Sequence, residues 1–194
     1  MIPPEVLLKA YQKGFFPMGT RKNGEIEWYS ADPRGILDLN EFKCPKRLER
    51  VFRSEKFEIR YNYDFEASIR GCAEAPREGV WISEKIIESY INLHHLGFAH
   101  SVETYVKGEE EIAGGLYGVS IGGMFFGESM FFRKSDASKI ALIGLVERIK
   151  ERGFVMIDMQ MLTDHMKQFG GKLISKTEYM VILENALLKN CSFA

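Results

Sequence analysis

The sequence predicts an α+β protein in which a mixed, mostly antiparallel sheet is flanked by helices. Three successive strands over residues 98–106, 111–119 and 124–132 are separated by Lys-Gly-Glu and Gly-Gly turns, the pattern of an antiparallel meander. Strand and helix units alternate after the meander, as in a sheet covered by helices. With 194 residues and 45% hydrophobic content, the chain is long enough to bury a substantial core.

Helix starts are marked by prolines and by small polar residues ahead of apolar periodic segments. Prolines predict helices over residues 4–13 and from Pro45 to about Arg53. Three further helices follow N-cap candidates, namely Asp64 for residues 65–73, Ser83 for 84–96, and Asp136 or Ser135 for 137–152. A short helix is predicted around residues 163–168, and a capping box at Ser175–Glu178 opens a C-terminal helix.

Three more segments have strand character, at residues 57–61, 154–158 and 172–175. Residues 14–35 are interpreted as irregular because Pro, Gly and Asn-Gly turn signals are spread through them. Their aromatic content is unusual for a loop exposed to water. This loop is therefore expected either to pack on the domain or to line a site.

Composition narrows the class of protein. The three cysteines, Cys44, Cys72 and Cys191, have neither disulfide-framework nor zinc-site spacing, so we expect no metal and no cofactor. The N-terminal residues do not resemble a signal peptide, and no apolar run is long enough for a membrane span, so a cytoplasmic location is expected. A net charge of −1 argues against wholesale electrostatic coating of nucleic acid.

Residues 43–60 form a local cationic stretch, with seven cations and three anions. Helical spacing places Lys46, Arg50 and Arg53 on one face. Taken alone, the stretch is interpreted as a solvated helix face, and the alternative is a patch that binds one short phosphate segment.

Two strand segments carry polar residues that are costly to bury. Glu128 follows Gly127 inside an apolar segment, and Asp158 ends the segment FVMID with Gln160 two residues later. Six glycines between residues 114 and 127 favour a close approach to that backbone, although a twisted hairpin with bulges is the alternative. A carboxylate that orients a carboxamide would assist an amine attacking an ester carbonyl, but satisfied structural acids remain the other interpretation.

Other catalytic classes are disfavoured. Ser129 and Ser138 have no adjacent histidine of a triad, and the four histidines form no HExxH pattern. No strand–GxGxxG–helix order is present, which argues against a dinucleotide site.

Together, these motifs resemble the leucyl/phenylalanyl-tRNA–protein transferase family. The resemblance runs in order through AYQKGFFPMG, WYSADPRGIL, the Trp81 and Tyr90 region, LHHLGFAHSVE, GGLYGV, FGESMFF, ASKIAL and IDMQMLTDH. It implies a GNAT-like acyltransferase fold over residues 33–194, preceded by a shortened N-terminal segment over 1–32. It also implies transfer of leucine or phenylalanine, with methionine as a further donor, from aminoacyl-tRNA to proteins bearing N-terminal Arg or Lys, which marks those proteins for degradation.

The resemblance also implies roles for particular residues. Asp158 would orient Gln160 toward the acceptor amine, with Glu128 beside the reaction centre. Trp81 and Phe125 would hold the 3′ adenosine of the tRNA, and Tyr90 belongs to the same substrate-binding set. The donor side chain would enter an apolar pocket formed by Leu116, Leu142, Leu145 and Ile157, for which ordinary core packing is the alternative. Lys46, Arg50 and Arg53 would bind the tRNA acceptor end.

This sequence departs from the family pattern at three positions. Met18 stands where the family has Trp, Met159 replaces Cys, and Thr163 replaces Asn. The rival functions are a divergent transferase with another acceptor, including a peptidoglycan-type enzyme, a CoA-dependent acetyltransferase, and a non-catalytic tRNA- or peptide-binding relative. The segment before residue 137 lacks a CoA pyrophosphate loop, and the retained acidic residues favour catalysis.

Overall fold

The structure is a computed structural model that describes residues 1–19, 25–76 and 81–194. Its helices are α1 (Pro4–Gln12), α2 (Lys46–Arg53), α3 (Phe65–Glu74), α4 (Glu84–His95), α5 (Ala137–Glu151), α6 (Asp164–Lys167) and α7 (Lys176–Leu187). Its strands are β1 (Phe16–Gly19), β2 (Ile26–Tyr29), β3 (Arg34–Asp38), β4 (Phe57–Tyr61), β5 (Ala99–Val106), β6 (Ile112–Ile121), β7 (Met124–Phe132), β8 (Met156–Gln160) and β9 (Lys172–Ile174).

Seven strands form one sheet in the order β4-β5-β6-β7-β8-β3-β9. Strands β7 and β8 are parallel, joined by a crossover through α5, and every other neighbouring pair is antiparallel. The predicted meander is confirmed as β5, β6 and β7. The α+β class with a mixed, mostly antiparallel sheet flanked by helices is likewise confirmed.

Two hydrophobic cores lie on the two sides of this sheet. One packs α1, α3, α4 and α7, and the other packs α2 and α5. Strand β7 contributes to both cores because neighbouring strand residues point in opposite directions: Phe126 enters the first core and Phe125 the second.

The prediction that residues 14–35 are irregular is wrong where β1, β2 and the start of β3 lie. Strands β1 and β2 pair from Phe16↔Tyr29 to Gly19↔Ile26, and β3 begins at Arg34 between β8 and β9. Strand β3 has a ladder on each side, so tertiary pairing overrides the weak strand propensity of its Arg-Gly start. The Asn23–Gly24 turn signal lies outside the described residues.

Helix capping was predicted with mixed success. The Asp64 carboxylate accepts from the Ala67 N–H at 2.9 Å, and the Ser175 hydroxyl accepts from the Glu178 N–H at 3.2 Å, as predicted. Asp136 occupies the N-cap position of α5 with φ 70° but makes no side-chain capping bond. Its carboxylate is instead bound by both Nη atoms of Arg47 at 2.7 Å.

Candidate active site

Strands β7 and β8 separate at the centre of the sheet. They pair from Met124↔Met156 to Phe126↔Asp158 and no further. On the other side of β7, Gly127 pairs with Gly118 and Ser129 with Tyr117, so Glu128 is the extra residue of a β-bulge. The bulge places Glu128 where the two strands diverge.

Strand β8 ends in an unusual backbone conformation at Gln160. Its φ is 57°, a left-handed value that is uncommon for a residue other than glycine. Gly35 pairs with Gln160, and a Cβ added at Gly35 would lie 2.6 Å from the backbone nitrogen of Leu162. The close packing of this glycine against the following turn holds the end of β8 in place.

A buried ion pair supports the same strand end. The Arg34 guanidinium donates from Nε and Nη2 to the two carboxylate oxygens of Asp158 at 2.9 and 2.7 Å. Both side chains are buried, at 1% and 0% exposure. The Tyr179 hydroxyl also donates to Asp158 at 2.6 Å, and Arg34 Nη1 donates to the Gly14 carbonyl. The fully buried pair is thus satisfied on several sides, as a buried charge requires.

Asp158 contacts Gln160 through the main chain. Asp158 Oδ1 accepts from the Gln160 backbone N–H at 2.9 Å, while the Gln160 side-chain amide donates to Glu128 Oε1 at 3.3 Å. Within the described residues, the carboxamide oxygen has no donor. Asp158 therefore fixes the backbone of Gln160, and Glu128 orients its carboxamide with the oxygen free to accept.

Glu128 is half-buried and accepts several hydrogen bonds. Tyr11 and Tyr90 donate to its two oxygens at 2.8 and 3.2 Å. Burial raises the pKa of Glu128 to about 7, although the two tyrosine hydrogen bonds act in the opposite direction. A carboxyl group with this pKa can exchange a proton near neutral pH.

A cavity of about 650 Å³ adjoins Glu128. Leu116, Leu142, Leu145 and Ile157 all line it, so the structure brings these four predicted residues together. Phe125 lines the same cavity, whereas Trp81 does not. Trp81 lines a second cavity next to this one, and the assignment of Phe125 and Trp81 to the 3′ adenosine stays a prediction.

A second cavity of about 180 Å³ is also lined by Glu128. Its wall includes Trp81, Met18 and Gln160, so the Met that stands in place of the family's Trp faces this space. The two cavities share four lining residues, Glu128, Met159, Met161 and Thr163. Two molecules entering from the two cavities would meet beside Glu128 and Gln160.

The cationic side chains of α2 lie on the protein surface. Lys46, Arg50 and Arg53 are exposed, and Arg53 forms an ion pair with Glu49. Leu48 is buried on the opposite side of α2, which packs against α5. An exposed face of this kind fits both a solvated helix and a phosphate-binding surface.

Three residues of the site were missed by sequence reasoning: Tyr11, Arg34 and Tyr179. Tyr11 follows Leu7 by four residues on the buried face of α1, so it was indistinguishable from a core aromatic. Turn signals around Arg34 favour a loop there. An arginine followed directly by the apolar run Gly-Ile-Leu is a signal that would have suggested a buried cation.

A polar centre reached from two cavities is the arrangement expected of a group-transfer enzyme with two substrates. Two family models match this chain: "Leucyl/phenylalanyl-tRNA protein transferase" over residues 36–184 and its "N-terminal domain" over residues 1–32. The chain belongs to the leucyl/phenylalanyl-tRNA–protein transferase family. It is therefore an aminoacyltransferase.

Curated relatives with the family's name align with this chain over nearly their whole length. The transferase of Gloeobacter violaceus is 50% identical over 99% of this chain and 97% of its own. That of Rubrobacter xylanophilus is 47% identical over 100% and 99%, and that of Paramagnetospirillum magneticum 46% over 97% and 91%. A solved structure of L-PGS from Bacillus licheniformis covers 96% of this chain and 77% of its own, with 17% identity and a TM-score of 0.49.

No helix among the described residues combines the length and apolar character needed to cross a membrane. No group of three or more His, Cys, Asp or Glu side chains in the described ranges is arranged to hold a metal ion.

Proposed function

We propose that this chain transfers leucine, phenylalanine or methionine from aminoacyl-tRNA to the N-terminal α-amino group of proteins that begin with Arg or Lys. The product is a new peptide bond, and the modified proteins are marked for degradation. The observation that carries this proposal is the meeting of two cavities at Glu128, with Gln160 in the wall of the smaller one. One cavity is large and mainly apolar, and the other is small and includes Trp81.

The larger cavity suits the donor side chain. Its walls include the apolar side chains of Leu116, Leu142, Leu145 and Ile157, which would remove an apolar side chain from water at a gain of about 25 cal/mol per Å² of buried surface. The ester carbonyl would then lie toward Glu128. We assign the small cavity, with Trp81, to the tRNA 3′ end and the approaching amine.

The reaction is attack of an amine nitrogen on an ester carbonyl carbon. A carbon–nitrogen bond forms, the bond to the ribose oxygen breaks, and that oxygen takes a proton. In this proposal the Gln160 carboxamide oxygen accepts an N–H of the amine, and Asp158 is a positioning residue that acts through the Gln160 backbone, which the contacts of Gln160 with Asp158 and Glu128 support. No covalent enzyme intermediate is needed.

We also propose a GNAT-like fold for residues 33–194, with residues 1–32 as a separate N-terminal segment. The β7–α5–β8 crossover and the separation of β7 from β8 support the fold assignment. The cytoplasm is the proposed location.

A matched panel of substrates tests the proposed function. Leucyl-, phenylalanyl- and methionyl-tRNA are incubated with peptides that differ only in their N-terminal residue, and amide formation is followed by mass. Transfer to Arg and Lys peptides is expected. Transfer restricted to another acceptor would indicate a divergent transferase, and tRNA binding without transfer to any acceptor would indicate a non-catalytic relative.

Glu128→Gln is expected to impair the use of acceptors by about 100-fold or more while leaving donor binding nearly unchanged. The variant removes both the negative charge beside the cationic acceptor and the carboxyl that exchanges a proton, an effect typically worth 10²–10⁴-fold. The measurements are kcat/KM for the Arg peptide and Kd for leucyl-tRNA. The control is Glu103→Gln, since Glu103 is a buried acid that lines neither cavity and accepts hydrogen bonds from Ser68 and Ser101. Equal losses in the two variants would contradict the assignment.

Removal of the cationic face of α2 is expected to weaken binding of every donor tRNA. In the Lys46→Ala, Arg50→Ala, Arg53→Ala triple variant, the slope of log Kd against log salt concentration should also fall by about 2 or more. Each single-strand phosphate contact contributes about 0.7 to that slope. Acceptor affinity should hardly change. A charge-matched control replaces the exposed Lys85, Lys150 and Lys189 with Ala. If both triple variants keep the wild-type affinity and salt slope, the α2 face is only solvated.

A further inference from the structure

Tyr11, Tyr90 and Glu128 form a closed ring of three hydrogen bonds beside Gln160. The Tyr11 hydroxyl donates to Glu128 Oε1 and the Tyr90 hydroxyl to Oε2, and the two hydroxyls also hydrogen-bond to each other. Both tyrosines are fully buried, at 0% exposure. They come from α1 and α4, so two separate helices converge on the bulged residue of β7.

The number of hydrogens in this ring depends on whether Glu128 is ionised. It has three oxygen–oxygen contacts, and each contact requires one hydrogen. When Glu128 is ionised, the two hydroxyls supply only two hydrogens. When Glu128 is protonated, three hydrogens fill the three contacts in one circular direction, which also lets each bond strengthen the next. The ring therefore has a vacant position for one additional proton.

We propose that this ring holds the proton that the acceptor ammonium loses, with Tyr11 and Tyr90 as positioning residues that act through Glu128. The proposal rests on the proposed function. In the balanced reaction, an ammonium and an ester become an amide, an alcohol and one free proton. The ammonium first gives that proton to Glu128 and so becomes a neutral amine. After attack, a second nitrogen-bound proton passes to the ribose oxygen, and Glu128 later releases the first to solvent.

The surroundings of the ring support this role. Burial raises the pKa of Glu128 to about 7, the tyrosine hydrogen bonds lower it, the nearby Asp158 charge raises it and Arg34 lowers it. An α-amino group has a reference pKa of about 8, so the donor and the acceptor of the proton are closely matched. The tyrosine hydroxyls keep their own protons, because burial first and then Glu128 raise their pKa values well above the ordinary value.

The first test measures the titration of Glu128 directly, without substrates. Carbon-13 NMR of protein labelled at the glutamate carboxyl is recorded against pH, and the Glu128 signal is assigned by its loss in Glu128→Gln. Wild-type Glu128 is expected to titrate near pH 7. Tyr11→Phe and Tyr90→Phe each remove a donor to the charged carboxylate, so each should move that titration to higher pH. The control is Tyr105→Phe, because Tyr105 is a buried tyrosine that contacts Tyr63 on another part of the sheet. This variant should leave the Glu128 titration unchanged.

The second test follows single-turnover transfer against pH with saturating substrates. The ionised form of Glu128 is the proton acceptor, so the acid limb of the profile should move to higher pH in Tyr11→Phe and Tyr90→Phe. Their losses should be several-fold larger at pH 6 than at pH 8.5. The α-amino group of the acceptor titrates identically in the assays of all the protein variants, so its effect cancels when their pH profiles are compared.

Two results would overturn the proposed role of the ring. The first is a wild-type Glu128 that titrates near the ordinary pKa of a glutamate. The second is folded Tyr11→Phe and Tyr90→Phe proteins in which neither the Glu128 titration nor the acid limb of the transfer profile moves. Failure of the proposed function gives a different result. In that case, the carboxyl titration shifts as expected, yet no aminoacyl donor yields an amide with any acceptor.

Discussion

Asp158→Asn is expected to lower the free energy of unfolding by about 3–5 kcal/mol, because it leaves the buried Arg34 guanidinium without its counter-charge. An asparagine amide would also direct N–H donors toward Arg34 or Tyr179, both of which donate to Asp158. The single-turnover transfer rate of the folded variant should fall by about 100-fold, because an asparagine side chain has one acceptor oxygen where Asp158 has two. The contact that fixes the Gln160 backbone then competes with the Arg34 and Tyr179 donors for that single oxygen. Donor Kd should change little. Chemical denaturation and rapid-quench transfer assays measure the two effects.

A double variant separates stability from positioning. Arg34→Met with Asp158→Leu replaces the ion pair by apolar groups, and such replacements are often neutral or stabilising. We expect the double variant to regain much of the lost stability and to remain slow in transfer. Gln160→Ala should be slow without a comparable loss of stability, since its side chain makes one hydrogen bond at 3.3 Å. Transfer of leucine at the wild-type rate by folded Asp158→Asn and Gln160→Ala proteins would rule out the assigned pair.

The parts of the fold that could be predicted are those encoded by local signals. Alternating apolar residues and glycine turns mark β5, β6 and β7, and caps such as Asp64 and Ser175 mark helix starts, so each can be recognised from a few neighbouring residues. Strand β3 has no such signal. It starts with Arg34 and Gly35, which have poor strand propensity, and it is stabilised by partners more than a hundred residues away in the chain.

The same distinction applies to the site. Glu128 and Asp158 could be singled out because an acid within an apolar strand is costly and demands a partner. The partners themselves could not be identified, since Tyr11 is 117 residues from Glu128 and Arg34 is 124 residues from Asp158. The β-bulge also makes the orientation of the Glu128 side chain hard to predict, because the strict alternation of a regular strand does not apply at a bulged residue. The pocket residues came from family resemblance, and spacing alone left core packing equally open.

The largest discrimination we expect is between leucyl and aspartyl donors. The larger cavity is lined by many apolar residues and, among the described residues, by neither Lys nor Arg. Its acidic member, Glu128, would repel a second carboxylate. His165 is the basic side chain in its wall, and burial lowers the pKa of that histidine, which keeps it neutral near pH 7. An aspartyl side chain would therefore be desolvated without a counter-charge.

Leucine and aspartate should be compared on the same tRNA body, so that binding of the nucleic acid cancels. We expect leucine to be transferred at least about 1,000-fold faster in single turnover, since burying an unpaired charge costs more than burying an unpaired neutral polar group. Asparagine on that tRNA is the neutral polar control and should fall between the two. Valine, one methylene smaller than leucine, should lose only about 10- to 200-fold. Aspartate transfer at the rate of leucine would show that the donor side chain does not enter this cavity, because its described walls include neither Lys nor Arg to pair with an ionised carboxylate.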